Sequence, residues 1–221
     1  MSSSLKNELS TSDFEVDSRE LRCHWRVRIV NAVHSIRVAM TLLALAAGIV
    51  VLGLSTDTLA VYNVTHLPVD YMLPLWPQNF DVRPTNALVA GSAIVTAMNA
   101  VSLLASKTQS VRGRPMIHSS VSIVVPVTGF IASLIAVVMF FAINTSATDE
   151  TFQSWVCRWK TVPMSTRPHF GTLCKESQAA LALAVLLVPL ELIILATAGF
   201  QVILEKKAGT VARSRGSPTL S

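Results

Sequence analysis

Hydrophobic positions in this chain do not alternate with polar ones, nor do they recur as a stripe with a polar face opposite. They run together in four blocks. Val38 to Leu54 is a charge-free stretch of 17 residues, extended upstream by Ile29 to Arg37. Thr85 to Ser106 gives 22 residues without a formal charge, with Pro84 at the first turn, where a missing N–H costs nothing. Between Arg114 and Asp149 lie 34 uncharged residues, of which Val121 to Asn144 reads as the apolar element. Ser177 to Leu204 is the fourth block, broken by Glu191 alone. Apolar runs of bilayer length predict transmembrane helices, because in lipid the backbone must satisfy its own hydrogen bonds. Core helices of a soluble bundle would show a polar face. The expected fold is therefore an all-α integral membrane protein, a four-transmembrane-helix bundle with spans at 34–54, 85–106, 121–144 and 177–204.

Composition agrees with this pattern. Of 221 residues, 51% are hydrophobic and 14% charged, against about 25% charged in soluble domains. Four spans leave no room for a soluble catalytic domain of about 100 residues. Thirteen of the 18 Lys and Arg residues lie in the N-terminal segment, the loop between spans two and three, and the C-terminal tail; Arg83, Arg158, Lys160, Arg167 and Lys175 lie on the other side. Lys/Arg excess marks the cytoplasmic side, so both termini are expected there. Residues 1–28 carry no apolar core of a signal peptide. They read as a cytoplasmic tail in which 1–11 are disordered. A capping-box spacing at Ser12-Asp13-Phe14-Glu15 then opens a short interfacial amphipathic helix with Phe14, Leu21 and Trp25. Residues 29–204 form the membrane domain, and 205–221 read as a disordered basic cytoplasmic tail. The basic residues form no single patch, which argues against nucleic acid as a partner.

The two outer loops carry candidate modifications. Cys157 and Cys174 fall on the expected outer side, where disulfides persist. A metal site with His169 as third ligand is the competing reading, but the spacing matches no zinc pattern, so no metal and no cofactor are expected. Asn63-Val64-Thr65 and Asn144-Thr145-Ser146 are glycosylation sequons. Asn63 is the preferred acceptor, since Asn144 lies at the membrane surface. Cys23, near the membrane on the cytoplasmic side, is a lipidation candidate. Loop 55–84 is unusually apolar; Tyr62, Tyr71, Trp76 and Phe80 are expected to form an aromatic belt at head-group level. Membrane anchoring is preferred there over a substrate lid. No Gly-rich phosphate loop, GxSxG, HExxH or CxxC occurs.

Three segments carry a family resemblance: LPLWP before the second span, SWVCRW in the second outer loop, and FGTLCKESQAALALAVLLVPLELIIL running into the fourth. With them, residues 29–204 resemble the small four-span MARVEL-type membrane proteins of filamentous fungi. That resemblance implies roles in membrane apposition, subdomain organisation and trafficking rather than catalysis. It also allows an accessory role in a natural-product pathway.

Glu191 is the residue that demands a chemical account. An acid in mid-span costs a few kcal/mol unless paired or protonated. Counting about 1.5 Å per residue from the outer ends, Arg37, Asn99, Thr128 and Glu191 all fall about 20 to 25 Å down, forming one polar layer about 6 Å thick. Pro126 and Pro189 flank it, and His34 lies one turn further toward the cytoplasm. The preferred reading is a polar clasp that fixes helix register, with Glu191 bonded to Asn99 or paired with Arg37. The alternative makes Glu191 the acid/base of a membrane-embedded cyclase or isomerase, delivering a proton to a lipophilic substrate. Small residues at Ala87, Gly91, Ala93, Ala97 and Ala100 in span two favour a tight bundle over a roomy cavity. The expected function is thus a non-catalytic accessory or scaffold subunit of an endomembrane or the plasma membrane. Its partners would be the lipid bilayer and other membrane proteins or pathway enzymes. A MARVEL-like organiser of membrane subdomains is a further alternative.

Overall fold

The computed structural model describes the backbone of residues 3–66, 76–77, 80–107, 115–146, 150–163 and 168–215, and side-chain surroundings at 25, 28–29, 31–66, 76–77, 80–106, 123–145, 150–163 and 168–204. Five helices and one short strand pair make up these residues. The elements are α1 (Ser3–Thr65), β1 (Phe80–Asp81), α2 (Arg83–Lys107), α3 (Pro115–Ser146), β2 (Glu150–Thr151), α4 (Phe152–Arg158) and α5 (Phe170–Arg215). Stretches of α1, α2, α3 and α5 are long and apolar enough to cross a membrane: Asn31–Thr65, Arg83–Ser106, Ile123–Thr145 and Phe170–Leu204.

The four long helices stand in a ring. α1 packs between α2 and α5, and α3 packs between the same two on the other side. That leaves α2 and α5 at opposite corners. The shared core is Ala44, Val51, Leu88, Val95, Phe140, Ala184, Leu187 and Ile194. Many large apolar side chains, such as Ile49, Leu104, Ile135, Leu186 and Ile203, point outward and are exposed. An inside-and-outside apolar bundle is what a lipid solvent requires. Small residues set the helix separation where helices approach closely: Gly91 of α2 lies directly against Ala136 of α3. Ala93 and Ala97, expected to pack inside, instead face outward.

α1 departs from expectation at both ends. It continues past Leu54 to Thr65 and begins at Ser3, so the upstream segment is one long helix rather than a disordered tail and a short helix. No Gly or Pro occurs between residues 1 and 47, and none between 54 and 67, so nothing in the backbone stops the helix before Pro68. α5 likewise runs on to Arg215, through a tail expected to be disordered. Lys, Ala and Arg are good helix formers, and Gly209 alone interrupts them before Gly216. The side chains of 3–24, 26–27 and 30 and of 205–215 lie outside the described residues.

One end of the bundle carries a cap. β1 pairs in parallel with β2, Phe80 opposite Glu150 and Asp81 opposite Thr151, tying the connection before α2 to the connection after α3. α4 follows at once, its first turn closed by a capping box in which Thr151 and Ser154 bond each other's backbone N–H. Trp76, Phe152, Val156, Phe170, Leu173 and Cys174 form a second core, with Val61, Tyr62, Phe80 and Trp155 against it. A disulfide joins Cys157 of α4 to Cys174 of α5.

The aromatic belt expected of loop 55–84 is therefore a packed cap. Trp76 is 4% exposed and touches Tyr62, Phe80, Phe152 and Phe170. Its indole Nε1 donates to Thr65 Oγ1 at 3.1 Å. Burying these rings against one another removes more apolar area from water than laying them singly on a surface. Tyr71 lies outside the described residues.

Candidate functional site

Glu191 sits in the middle of α5, two residues after Pro189, and is 1% exposed. Asn99 of α2 donates its Nδ2 to Glu191 Oε1 at 2.6 Å and is itself 3% exposed. The pair spans the diagonal of the ring, joining two helices that scarcely touch elsewhere. A long carboxylic side chain can reach across because α3 leaves a notch. A Cβ at Gly129 would lie 2.8 Å from Glu191 Oε2 and 3.3 Å from Cδ, so any side chain there would push the carboxyl aside. Pro126, one turn before Gly129, is also buried.

Of the expected layer, Arg37 lies elsewhere and Thr128 bonds within its own helix. Arg37 donates Nη1 to Gln201 Oε1 at 2.7 Å. Gln201 is ten residues beyond Glu191 on α5, about 15 Å along the axis. The depth count that placed Arg37 beside Glu191 started from Leu54, whereas the helix ends at Thr65; that error moves Arg37 out of the layer. Thr128 donates to Val124 O of its own helix at 2.9 Å, a local bond that Thr prefers in a helix. Its neighbour Gly129 is the residue facing the carboxyl. His34 is exposed on α1.

A cavity between Val51, Leu88, Ser92, Val95, Ser133 and Leu187 holds about 10 Å³, room for one water molecule at most. The hydroxyls of Ser92 and Ser133 turn back on Val89 O and Phe130 O, leaving acceptor lone pairs. Among the described residues no group of three His, Cys, Asp or Glu side chains converges as a metal site.

The remaining candidate residues fall at the cap end. Asn63 is exposed in the last turn of α1; its sequon partner Thr65 is occupied, donating to Val61 O and accepting from Trp76. Asn144 donates to Gln153 Oε1 at 3.4 Å. His169 is exposed while the two cysteines are spent on the disulfide. The side chain of Cys23 lies outside the described residues.

Sequence reasoning passed over Gly129 and Gln201. Both were readable: a glycine one turn after an intramembrane proline marks close approach, and an amide in an apolar run asks for a partner.

No curated protein and no solved structure matches the chain. Residues 3–207, which take in all four apolar helices and the cap, match the family described as a domain of unknown function (DUF8762), and the chain belongs to that family.

Proposed function

We propose that this chain is a non-catalytic accessory or scaffold subunit, embedded in a membrane by four spans, that holds partner membrane proteins or pathway enzymes. The observation that carries the reading is the state of Glu191. It is the charged residue that the described bundle buries, and it is enclosed by Asn99 and Gly129. An acid/base catalyst must touch the group it protonates, and this carboxyl touches another helix. The resemblance to fungal MARVEL-type proteins supports extending the role to a natural-product pathway or to membrane organisation.

Both termini lie on the cytoplasmic side, and the cap faces the lumen or exterior. Thirteen cations against five support that orientation, as does a disulfide in the cap. Asn63, exposed at the same end, is the glycan acceptor.

The test is biochemical. Microsomes containing this chain alone form no product from lipophilic substrates, whereas membranes that also contain its partner enzymes lose output when the chain is removed. Product formation by the chain alone, abolished by Glu191→Gln, would contradict the reading.

A further inference from the structure

Among the described residues, the cap packs its aromatic rings inward with one conspicuous omission. Trp76, Phe152 and Phe170 are buried, while Trp159, just after α4, is 41% exposed and touches Trp155 at a centroid distance of 5.7 Å. Three residues on, Val162 is 43% exposed. Lys160 and Thr161 between them are also exposed, and the backbone closes a tight turn, Val162 N–H donating to Trp159 O at 3.1 Å. A soluble cap would gain nothing by leaving a Trp and a Val outside on one turn.

The height of this turn can be read from the helices. Arg37 and Asp57 bound the charge-free part of α1, twenty residues or about 30 Å apart, the thickness of a hydrocarbon core. Asp57 marks the slab edge on the cap side. The level above Asp57 is carried to α5 through the cap rings, since Tyr62 of α1 touches Trp76 and Trp76 touches Phe170. The turn rests on the first turn of α5: a Cβ at Gly171 would lie 3.1 Å from the Lys160 carbonyl oxygen. Tyr62, level with Phe170 and Gly171 through those rings, is five residues above Asp57, at most about 7.5 Å, and the head-group layer is about 5 to 7 Å deep on each side.

We propose that the turn Trp159–Lys160–Thr161–Val162 is a lipid anchor seated in the head-group layer on the cap side. Trp159 and Val162 lie against the upper acyl chains, and the Lys160 ammonium lies beside the lipid phosphates. An amphipathic ring, an aliphatic group and a snorkelling cation are the side chains that this layer favours. The surface continues the exposed apolar faces of the spans below it. The inference rests on the membrane reading and is independent of the scaffold role.

Spin labels measure the depth directly. The full-length chain carrying Cys23→Ser and Val162→Cys is labelled with a nitroxide and reconstituted in phosphatidylcholine vesicles. Accessibility to oxygen, which partitions into lipid, is compared with accessibility to a water-soluble nickel chelate. Leu186→Cys, exposed in mid-span, and Val64→Cys, 83% exposed near the end of α1, serve as lipid and water references. The oxygen-to-nickel ratio at 162 is expected to be several-fold above that at 64 and below that at 186. A ratio equal to that at 64 would overturn the anchor, and so would loss of access to both reagents, which would mean a protein partner covers the turn. A second measurement needs no cysteine. The emission lost in Trp159→Phe should be quenched by lipids brominated near the head group; unquenched emission would overturn the anchor. Inertness of Cys157 and Cys174 to thiol reagents in each variant confirms that the cap is folded.

Discussion

The Glu191 carboxyl reaches Asn99 because residue 129 carries no side chain. Gly129→Ala should therefore act as overpacking, costing about 1–3 kcal/mol, and it should do so by displacing Glu191. Thermal unfolding in detergent would show a lowered midpoint. Adding Glu191→Ala should make the double variant less destabilised than the sum of the two single changes, because the clash then has no second party. Additivity would mean that Gly129 matters for some other reason. The hydrogen bond itself is open to a double-mutant cycle of Asn99→Leu and Glu191→Leu. A coupling of about 1 kcal/mol is expected, the scale of polar contacts between helices in membranes. Asn99 and Glu191 were legible as polar residues at matching depths; that Thr128 would satisfy its hydroxyl within its own helix was not, since Thr has both options at any depth.

The elements show where counting along a sequence succeeds and where it fails. Apolar blocks in α2 and α3 end close to where the helices do, because Pro84 and charged residues bracket them. α1 and α5 overrun their blocks, because amphiphilic residues such as Thr58, Tyr62 and Thr65 continue a helix as readily as a loop when no Gly or Pro intervenes. The overrun has a consequence, since it supplies the walls against which the cap packs. Within the cap, the disulfide closes a chain separation of 17 residues, for which the chain-entropy estimate is about 3 kcal/mol. Cys157→Ser with Cys174→Ser should leave the helical signal of the bundle intact and make residues 150–176 protease-sensitive at a lower temperature. If the cap melts together with the bundle in both forms, the two are one cooperative unit and the bridge is not what holds the cap.

At the scale of the whole molecule, the number of apolar helices was readable from block length alone, and the ring order was not. Nothing in the sequence says that α2 and α5 occupy opposite corners, and that placement makes the Asn99–Glu191 bond a diagonal tie rather than a contact between neighbours. The orientation proposed from charge predicts that tags at either terminus are reached by protease from the cytoplasmic face only. Cys23 should label from that face without reductant, and Cys157 and Cys174 only after reduction. Tags on opposite faces would refute an even number of spans. Whether the buried carboxyl is structural is decided by Glu191→Gln in cells lacking the native chain. Gln keeps the shape and hydrogen-bonding reach of the carboxylic acid and carries no ionisable proton. Wild-type abundance in the membrane is expected, with full restoration of whatever output or phenotype is lost with the chain. Normal abundance with complete loss of that output would contradict a structural role.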